Sequence, residues 1–355
     1  MIFIDFSHLF YRNLFTTIYN TKPKKQNGKY NTDDFIDVFF FQMLNSLRKI
    51  EDDFKNEYGE IVLLMDGKGN WRKEYLKHDG TYKDGRSQTR KESDINYDTF
   101  YAKIEELKDY LRHEINYKII EVENIEADDS GFILSHYSNK KSLLVTEDKD
   151  WKQCLIGNYN VDMYRPIAKE MIYNKSDDDF QDYLREFRAL HILVGDKADS
   201  IPSVLDKVEF TKEFLTFLSD EGIKVTKVSE FEKLNFAFEL YKKAEELEIE
   251  IFKKARFGEK TALKLLQSPT EFINKKIKDK KKFYDNLRKN RTLVDMRKIP
   301  NHLKEKVIEK FNEDIPERKE TMFLEQYNIT KCKDFNLNNC NEVETNNKMK
   351  SIFDF

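Results

Sequence analysis

The chain has 355 residues, 39% of them hydrophobic and 14% aromatic, enough to bury a large core and a second smaller one and too many for a disordered polymer. With 62 Lys and Arg against 65 Asp and Glu the formal net charge is −3, so the average composition marks neither a polyanion binder nor an acidic solubiliser. Three widely spaced cysteines and six histidines without a paired ligand motif argue against structural zinc, and no stretch reaches the roughly 20 apolar residues of a membrane span, so a soluble, cytoplasmic protein is expected.

In chain order, short aliphatic or β-branched runs stand at 1–4 (MIFI), 60–65 (EIVLLM), 117–122 (YKIIEV), 142–146 (SLLVT) and 160–164 (NVDMY). Helical patterns separate them. Phe35, Val38, Phe39, Leu44, Leu47, Ile50 and Phe54 recur at the i, i+3, i+4 spacing of one buried helix face. Strands alternating with helices predict βαβ units, hence an α/β fold whose central, mainly parallel sheet is covered by helices on both faces. A further helix is expected at 180–194, and beyond it a helical, basic region. Between Lys253 and Lys310 stand 19 Lys and Arg against 7 Asp and Glu, a local surplus of 12 positive charges that suits a nucleic-acid backbone. From Lys331 the sequence turns polar and Asn-rich and reads as a flexible tail; its closing SIFDF offers Ile352, Phe353 and Phe355 as a short partner-docking peptide.

In a parallel sheet, ligands bind beyond the carboxyl ends of the strands. Here those ends carry acids. Asp5 follows MIFI, Asp66 follows IVLLM, Glu126 and Asp128 with Asp129 lie just past YKIIEV, and Asp148 with Asp150 follows SLLVT. One such acid alone is an ordinary helix cap or turn residue, whereas the recurrence at one end of successive strands is not explained by capping. Two carboxylates about 5 Å apart repel by about 3 kcal/mol at an effective dielectric near 20, so their convergence requires a counter-charge. All-oxygen donors without His or Cys suit magnesium or manganese. Two such ions about 4 Å apart can clamp a phosphodiester between an activated water and a stabilised leaving oxygen. Beyond the helix at 180–194, "LVGDKADSIPSV" adds Asp196 and Asp199, three positions apart.

Taken together, Asp5, Asp66, Glu-Ala-Asp-Asp at 126–129, Asp-Lys-Asp at 148–150 and Gly-Asp-x-x-Asp-x-Ile-Pro at 195–202 resemble the 5′ nuclease family. That family comprises flap endonucleases, the 5′ nuclease domains of bacterial DNA polymerases, and stand-alone phage RNase H enzymes, and the likeness to the phage type spans nearly all of residues 1–330. The resemblance implies that Asp5, Asp66, Asp128 and Asp148 gather around one Mg2+ ion. Asp150, Asp196 and Asp199 would serve a second, with Glu126 and Asp129 supporting and Mn2+ able to substitute.

Residues 71–91 are basic and aromatic together and follow Asp66 directly. Lysine and arginine there can hold a phosphate, and an aromatic ring can stack on an unpaired base. The family's arch pattern Tyr-Lys-x-x-Arg is matched by Tyr82, Lys83 and Arg86, with Arg72 matching an earlier arch arginine. Lys83 and Arg86 are thereby expected beside the scissile phosphate, and Arg72 and Tyr82 on the substrate strand. "RFGEKTALKLL" at 256–266 resembles the family's Gly-x-Lys-Thr-Ala turn, part of a helix-turn-helix-like element, and implies backbone contacts to duplex from Gly258, Lys260 and Thr261 and a potassium ion. Pro202 and Gly258 are 56 positions apart, however, a departure from the family pattern that puts the potassium site in question.

The expected organisation is therefore a nuclease domain at 1–203 with an arch at 67–96, a helical duplex-binding domain at 204–330 with a helical insertion at about 207–254, and the tail at 331–355. The resemblance implies a monomeric, two-metal phosphodiesterase of the host cytoplasm that removes RNA primers and adjoining DNA, or 5′ flaps, during lagging-strand replication. A sliding clamp or a single-stranded-DNA-binding protein would be its tail's partner. The competing readings are a repair or recombination endonuclease acting on branched DNA and a non-catalytic DNA-binding scaffold. A nucleotide-binding α/β protein lacks support, because no Gly-rich phosphate loop follows the first strand.

Overall fold

The computed structural model describes residues 1–77, 82–83, 90–205, 207–231, 234–255, 257–277, 279–315 and 317. The chain divides into two units, one formed by Met1–Phe187, Ala198–Ser200 and the chain from Asp295, the other by Arg188–Lys197 and Ile201–Val294. The chain thus returns to the first unit after completing the second, an arrangement that a single boundary at 203 does not represent.

The first unit is built on six strands: β1 (Ile2–Asp5), β2 (Ile61–Met65), β3 (Lys118–Glu121), β4 (Ser142–Val145), β5 (Val161–Arg165) and β6 (Glu170–Ile172). Their order across the sheet is β3-β2-β1-β4-β5-β6. Every neighbouring pair is parallel except β5 with β6. The first five are the strands expected from the aliphatic runs. The sixth is a three-residue antiparallel edge, too short to show an alternating pattern.

Strand side chains alternate between the two faces, and the core divides accordingly. Ile2, Ile4, Leu63, Met65, Leu143 and Val145 pack with α1 (Phe6–Thr21), α2 (Ile36–Tyr58) and the helix Tyr97–Asp109. Phe3, Val62, Leu64, Ile120 and Leu144 pack on the other side with the helix Ala127–Tyr137, the 3-10 turn Lys149–Leu155, and Leu303 and Val307 of the helix Asn301–Asn312. Each such fully buried side chain contributes about 1.5–3 kcal/mol relative to exposure, so both helical layers are held by apolar burial. Strands β1 and β4 are neighbours, and the chain leaves them toward opposite edges of the sheet. That is the topological switch point, where the helices diverge and open a crevice at the strands' carboxyl ends.

In the second unit, Leu193, Val204, Phe257, Ala262, Leu265, Ile277 and Phe283 form one core, drawn from the end of the helix Asp178–Val194 and from the helices Glu259–Gln267 and Lys280–Val294 with their flanks. The insertion has a core of its own, including Phe210, Phe214, Phe217, Phe231 and Leu240. Its interior helices agree with the expected helical character. Its two ends differ: Lys207–Phe210 and Phe252–Ala255 pair as antiparallel strands in the register Phe210↔Phe252. Strands of four residues separated by some forty others leave no periodic trace in the sequence.

Candidate metal centre

Asp5 ends β1 and caps α1. Its Oδ1 accepts the His8 N–H at 3.0 Å and its Oδ2 accepts the Thr146 hydroxyl at 3.0 Å, and only 7% of the residue is exposed. Thr146, just past β4, also accepts the Asp148 N–H at 3.0 Å, and Asp148 in turn caps the 3-10 turn by accepting the Asp150 N–H at 2.9 Å. One hydroxyl therefore joins the acids of two adjacent strands. Asp66, exposed beyond β2, accepts the Ser7 hydroxyl and the Ala127 N–H, each at 2.9 Å, which ties it to the starts of two helices. The next residue has to be glycine: a Cβ at Gly67 would lie 1.8 Å from the Val122 carbonyl oxygen, while the Gly67 N–H donates to Ile125 O at 2.9 Å.

At the start of the helix Ala127–Tyr137, Glu126, Asp128 and Asp129 each offer a carboxylate oxygen, all within 4.8 Å of one another. Asp129 is fully buried. Arg72 holds it with two parallel bonds, Nη1 to Oδ2 at 2.9 Å and Nη2 to Oδ1 at 2.8 Å, and the Trp71 indole N–H donates to Oδ2 at 2.8 Å. Arg72 Nη1 reaches Glu126 Oε2 as well, at 3.0 Å. Lys83 places its ammonium 2.5 Å from Glu126 Oε1 and 3.6 Å from Asp199 Oδ2, and its own N–H donates to Asp199 O at 3.0 Å from a left-handed backbone, φ 55°. The Tyr82 hydroxyl lies 3.0 Å from Glu126 Oε2 and 3.2 Å from Asp199 Oδ2.

These contacts set the charge balance. Burial, and then the charge of Asp66, push the Asp5 carboxyl up to about 7. Burial, and then Asp150 and Asp5, push Asp148 to about 7 as well. Asp128 rises through burial and the neighbouring Asp129. Glu126 goes the other way: burial works to raise it, but Lys83 and then Arg72 overcome that and hold it at about 2. Two cationic side chains thus neutralise the Glu126 and Asp129 end, while Asp5, Asp128 and Asp148 keep carboxyls whose ionisation is resisted. Crowded carboxyl oxygens, buried at Asp5 and half-buried at Asp128 and Asp148, that would ionise fully only beside a counter-charge fit hard divalent cations.

Asp196 belongs to the second unit, where His191 Nε2 stands 3.0 Å from its Oδ2. Gly258 precedes the helix Glu259–Gln267, its carbonyl accepting the Thr261 and Ala262 N–H groups at 2.9 and 3.1 Å; Gly258 and Lys260 are exposed and Thr261 half-buried. Arg72 and Tyr82, expected on a substrate strand, are each 3% exposed, and the bonds above engage them with carboxylates of the first unit. Arg86, Ile352, Phe353 and Phe355 fall outside the described residues. Reading the sequence did not single out Ser7, Thr146 or His191. The available signal was a hydroxyl two positions from a strand-end acid, Ser7 after Asp5 and Thr146 before Asp148.

Residues 1–183 match the family described as 5′-3′ exonuclease, N-terminal resolvase-like domain. The ribonuclease H of Enterobacteria phage T4 is 28% identical over 159 residues, which cover 43% of this chain and 49% of that protein. A 5′-3′ exonuclease of Buchnera aphidicola subsp. Schizaphis graminum is 29% identical over 210 residues, 58% of this chain and 65% of that one. The chain therefore spans about half of one of these curated relatives and just under two-thirds of the other. Among solved structures, a bacteriophage T5 flap endonuclease complexed with DNA and metal ions aligns with 88% of this chain and 99% of its own, at a TM-score of 0.47 and 16% identity. A T5 5′-exonuclease variant aligns with 87% of this chain and 98% of its own, at a TM-score of 0.47 and 14% identity. With its family model matched over more than half its length, at the end that carries the acidic cluster, the chain belongs to the 5′-3′ exonuclease family.

Proposed function

We propose that the protein is a divalent-metal-dependent 5′ nuclease that hydrolyses phosphodiesters from the 5′ end of RNA·DNA hybrid and of duplex or flap DNA, and that it removes RNA primers and adjoining DNA during lagging-strand replication. The observation that carries this reading is the link between strand ends: Asp5 and Asp148 share the Thr146 hydroxyl, while Asp66 is bonded to the first turns of the helices after β1 and after Glu126. In this reading Asp5, Asp66, Asp128 and Asp148 hold one Mg2+ ion. Asp150, Asp196 and Asp199 serve a second, with Glu126 and Asp129 in support. Bound divalent ions supply Lewis-acid stabilisation of the phosphate and a water of lowered pKa.

The chain's own residues do the rest. Thr146 and Ser7 aim Asp5 and Asp66. Arg72 and Tyr82 hold Glu126 in place. Lys83, already placed among carboxylates, donates to a non-bridging oxygen of the scissile phosphate and offsets charge that develops at phosphorus. Arg86 completes the clamp from the arch. Gly258, Lys260 and Thr261 contact the duplex backbone, with a potassium ion at that turn if the insertion leaves it intact. The enzyme works as a cytoplasmic monomer, and Ile352, Phe353 and Phe355 dock a sliding clamp or a single-stranded-DNA-binding protein.

The test is cleavage of 5′-labelled RNA·DNA hybrid and flap DNA by the full chain, with Mg2+ or with chelator, beside Asp128→Asn. Cutting that needs the metal and disappears in the variant, while DNA binding persists, supports the reading. Equal cutting by both proteins removes it.

A further inference from the structure

Asp196 takes part in the proposed chemistry, and its surroundings specify what aims its side chain. His191, 8% exposed, lies in the last turn of the helix Asp178–Val194, and its Nε2 stands 3.0 Å from Asp196 Oδ2. The backbone between them is rigidly set. The His191 carbonyl accepts the Gly195 N–H at 2.9 Å, and Gly195 has φ 72°, where a Cβ would meet the carbonyl oxygens of Ile201 and Pro202 at 2.4 Å. The turn therefore admits glycine alone. Past it, the Asp196 carbonyl accepts the Ile201 N–H at 2.7 Å. Asn290, 1% exposed, donates to the carbonyls of Ile192 at 3.0 Å and Pro202 at 2.6 Å, fastening both sides of the turn. With the main chain so constrained, only the two torsions of the Asp196 side chain remain, and the imidazole contact acts on them. A carboxylate only accepts, so the Nε2 in this contact carries a proton.

We propose that His191 is a positioning residue for metal binding: its Nε2–H holds Asp196 Oδ2 and thereby presents Oδ1 to a divalent cation. This rests on the reading of Asp196 as a metal-serving carboxylate. It reverses the commoner arrangement, in which a carboxylate orients a ligating histidine, but the physics is the same. The outer partner removes rotational freedom that the ion would otherwise have to suppress, and losing such a partner lowers metal affinity roughly 10- to 100-fold.

Mn2+ titration of the full chain, followed by the electron paramagnetic resonance of the free ion, tests it with His191→Ala, His191→Gln, Asp196→Asn and the double variant His191→Ala/Asp196→Asn. Glutamine keeps an N–H donor without an imidazole, and its metal-free melting curve shows whether the fold is intact. The expected result is one class of site weakened about 10-fold in His191→Ala, largely restored in His191→Gln, and no weaker in the double variant than in Asp196→Asn. Wild-type affinity in His191→Ala, additive losses in the double variant, or a glutamine variant as weak as alanine would each overturn the positioning role. Wild-type Mn2+ binding in Asp196→Asn removes the ligand reading, and the proposal with it. Loss in Asp196→Asn without loss in His191→Ala removes the proposal alone.

Discussion

Arg72 grips Asp129 through two parallel bonds of 2.9 and 2.8 Å, at a site where the arginine is 3% exposed and the aspartate fully buried. The planar fork matches the carboxylate, and the Trp71 indole N–H at 2.8 Å donates to the same acid. Removing one partner strands the other as an uncompensated buried charge. Arg72→Met is expected to cost about 3–5 kcal/mol, measured by urea unfolding of the metal-free chain. Arg72→Lys recovers only part of this, because an ammonium cannot make the paired bonds. A variant as stable as wild type would show that the pair contributes nothing.

The stability of the metal-free chain should depend on pH through two of these acids. Asp5 and Asp148 are pushed up to about 7 in the folded chain, from an ordinary value of 3.8. Between those values the folded state binds more protons than the unfolded one. The stability from each group is therefore complete below the unfolded value and is lost as pH rises through about 7. These two carboxyls should lower the melting temperature of the metal-free protein from about pH 5 to about pH 7, against the opposite contribution of His8, which burial holds at about 4 instead of the ordinary 6.5, so Asp5→Asn/Asp148→Asn should remove the fall, and Mg2+ or Mn2+ should restore the wild type increasingly toward the alkaline end. A melting temperature independent of both pH and metal across this window would contradict the charge balance described above.

Lys83 contacts both Glu126 and Asp199 and is the cationic residue assigned to the phosphate. Lys83→Ala should lower the cleavage rate about 100- to 1,000-fold through the turnover step, the usual loss when one preorganised donor is removed. Single-turnover kinetics separate that from weakened binding. A change confined to substrate affinity would assign Lys83 to holding the strand instead.

Gly67 fixes the main chain next to Asp66. Because a Cβ there would lie 1.8 Å from the Val122 carbonyl oxygen, Gly67→Ala must displace either the turn or β3's exit. We expect a loss of about 1–3 kcal/mol, together with metal affinity reduced more than in an alanine substitution on the exposed surface. Unaltered melting and Mn2+ binding would show that the turn relaxes freely.

Much of the fold and of the acidic site is legible in the sequence, for identifiable reasons. Five aliphatic runs announce the sheet, because a parallel strand buried on both faces reads as an apolar block. Asp5, Asp66 and Asp148 could be placed at one edge from their position just after those blocks. Arg72 and Tyr82 were harder. A basic run beside an arch reads as solvated, and nothing within residues 71–91 reveals that the carboxylates at 126–129 are there to receive them. The helix Asn301–Asn312 shows an apolar stripe through Leu303 and Val307, but periodicity says only that one face is buried, not that it packs beside Phe3 and Leu144 of the first unit's sheet. Thr146 and Ser7 leave no mark in the sequence, because a single hydroxyl carries no pattern until its acceptor is located.

The most direct measurement is anomalous diffraction from crystals of the full chain soaked in Mn2+. A manganese peak bounded by the carboxylates of Asp5, Asp66, Asp128 and Asp148 is the expected result, with a second peak beside Asp150, and both absent from crystals treated with chelator. Well-diffracting crystals with those carboxylates free of manganese, or with manganese only on surface acids elsewhere, would contradict the assignment of the acidic crevice as a metal centre.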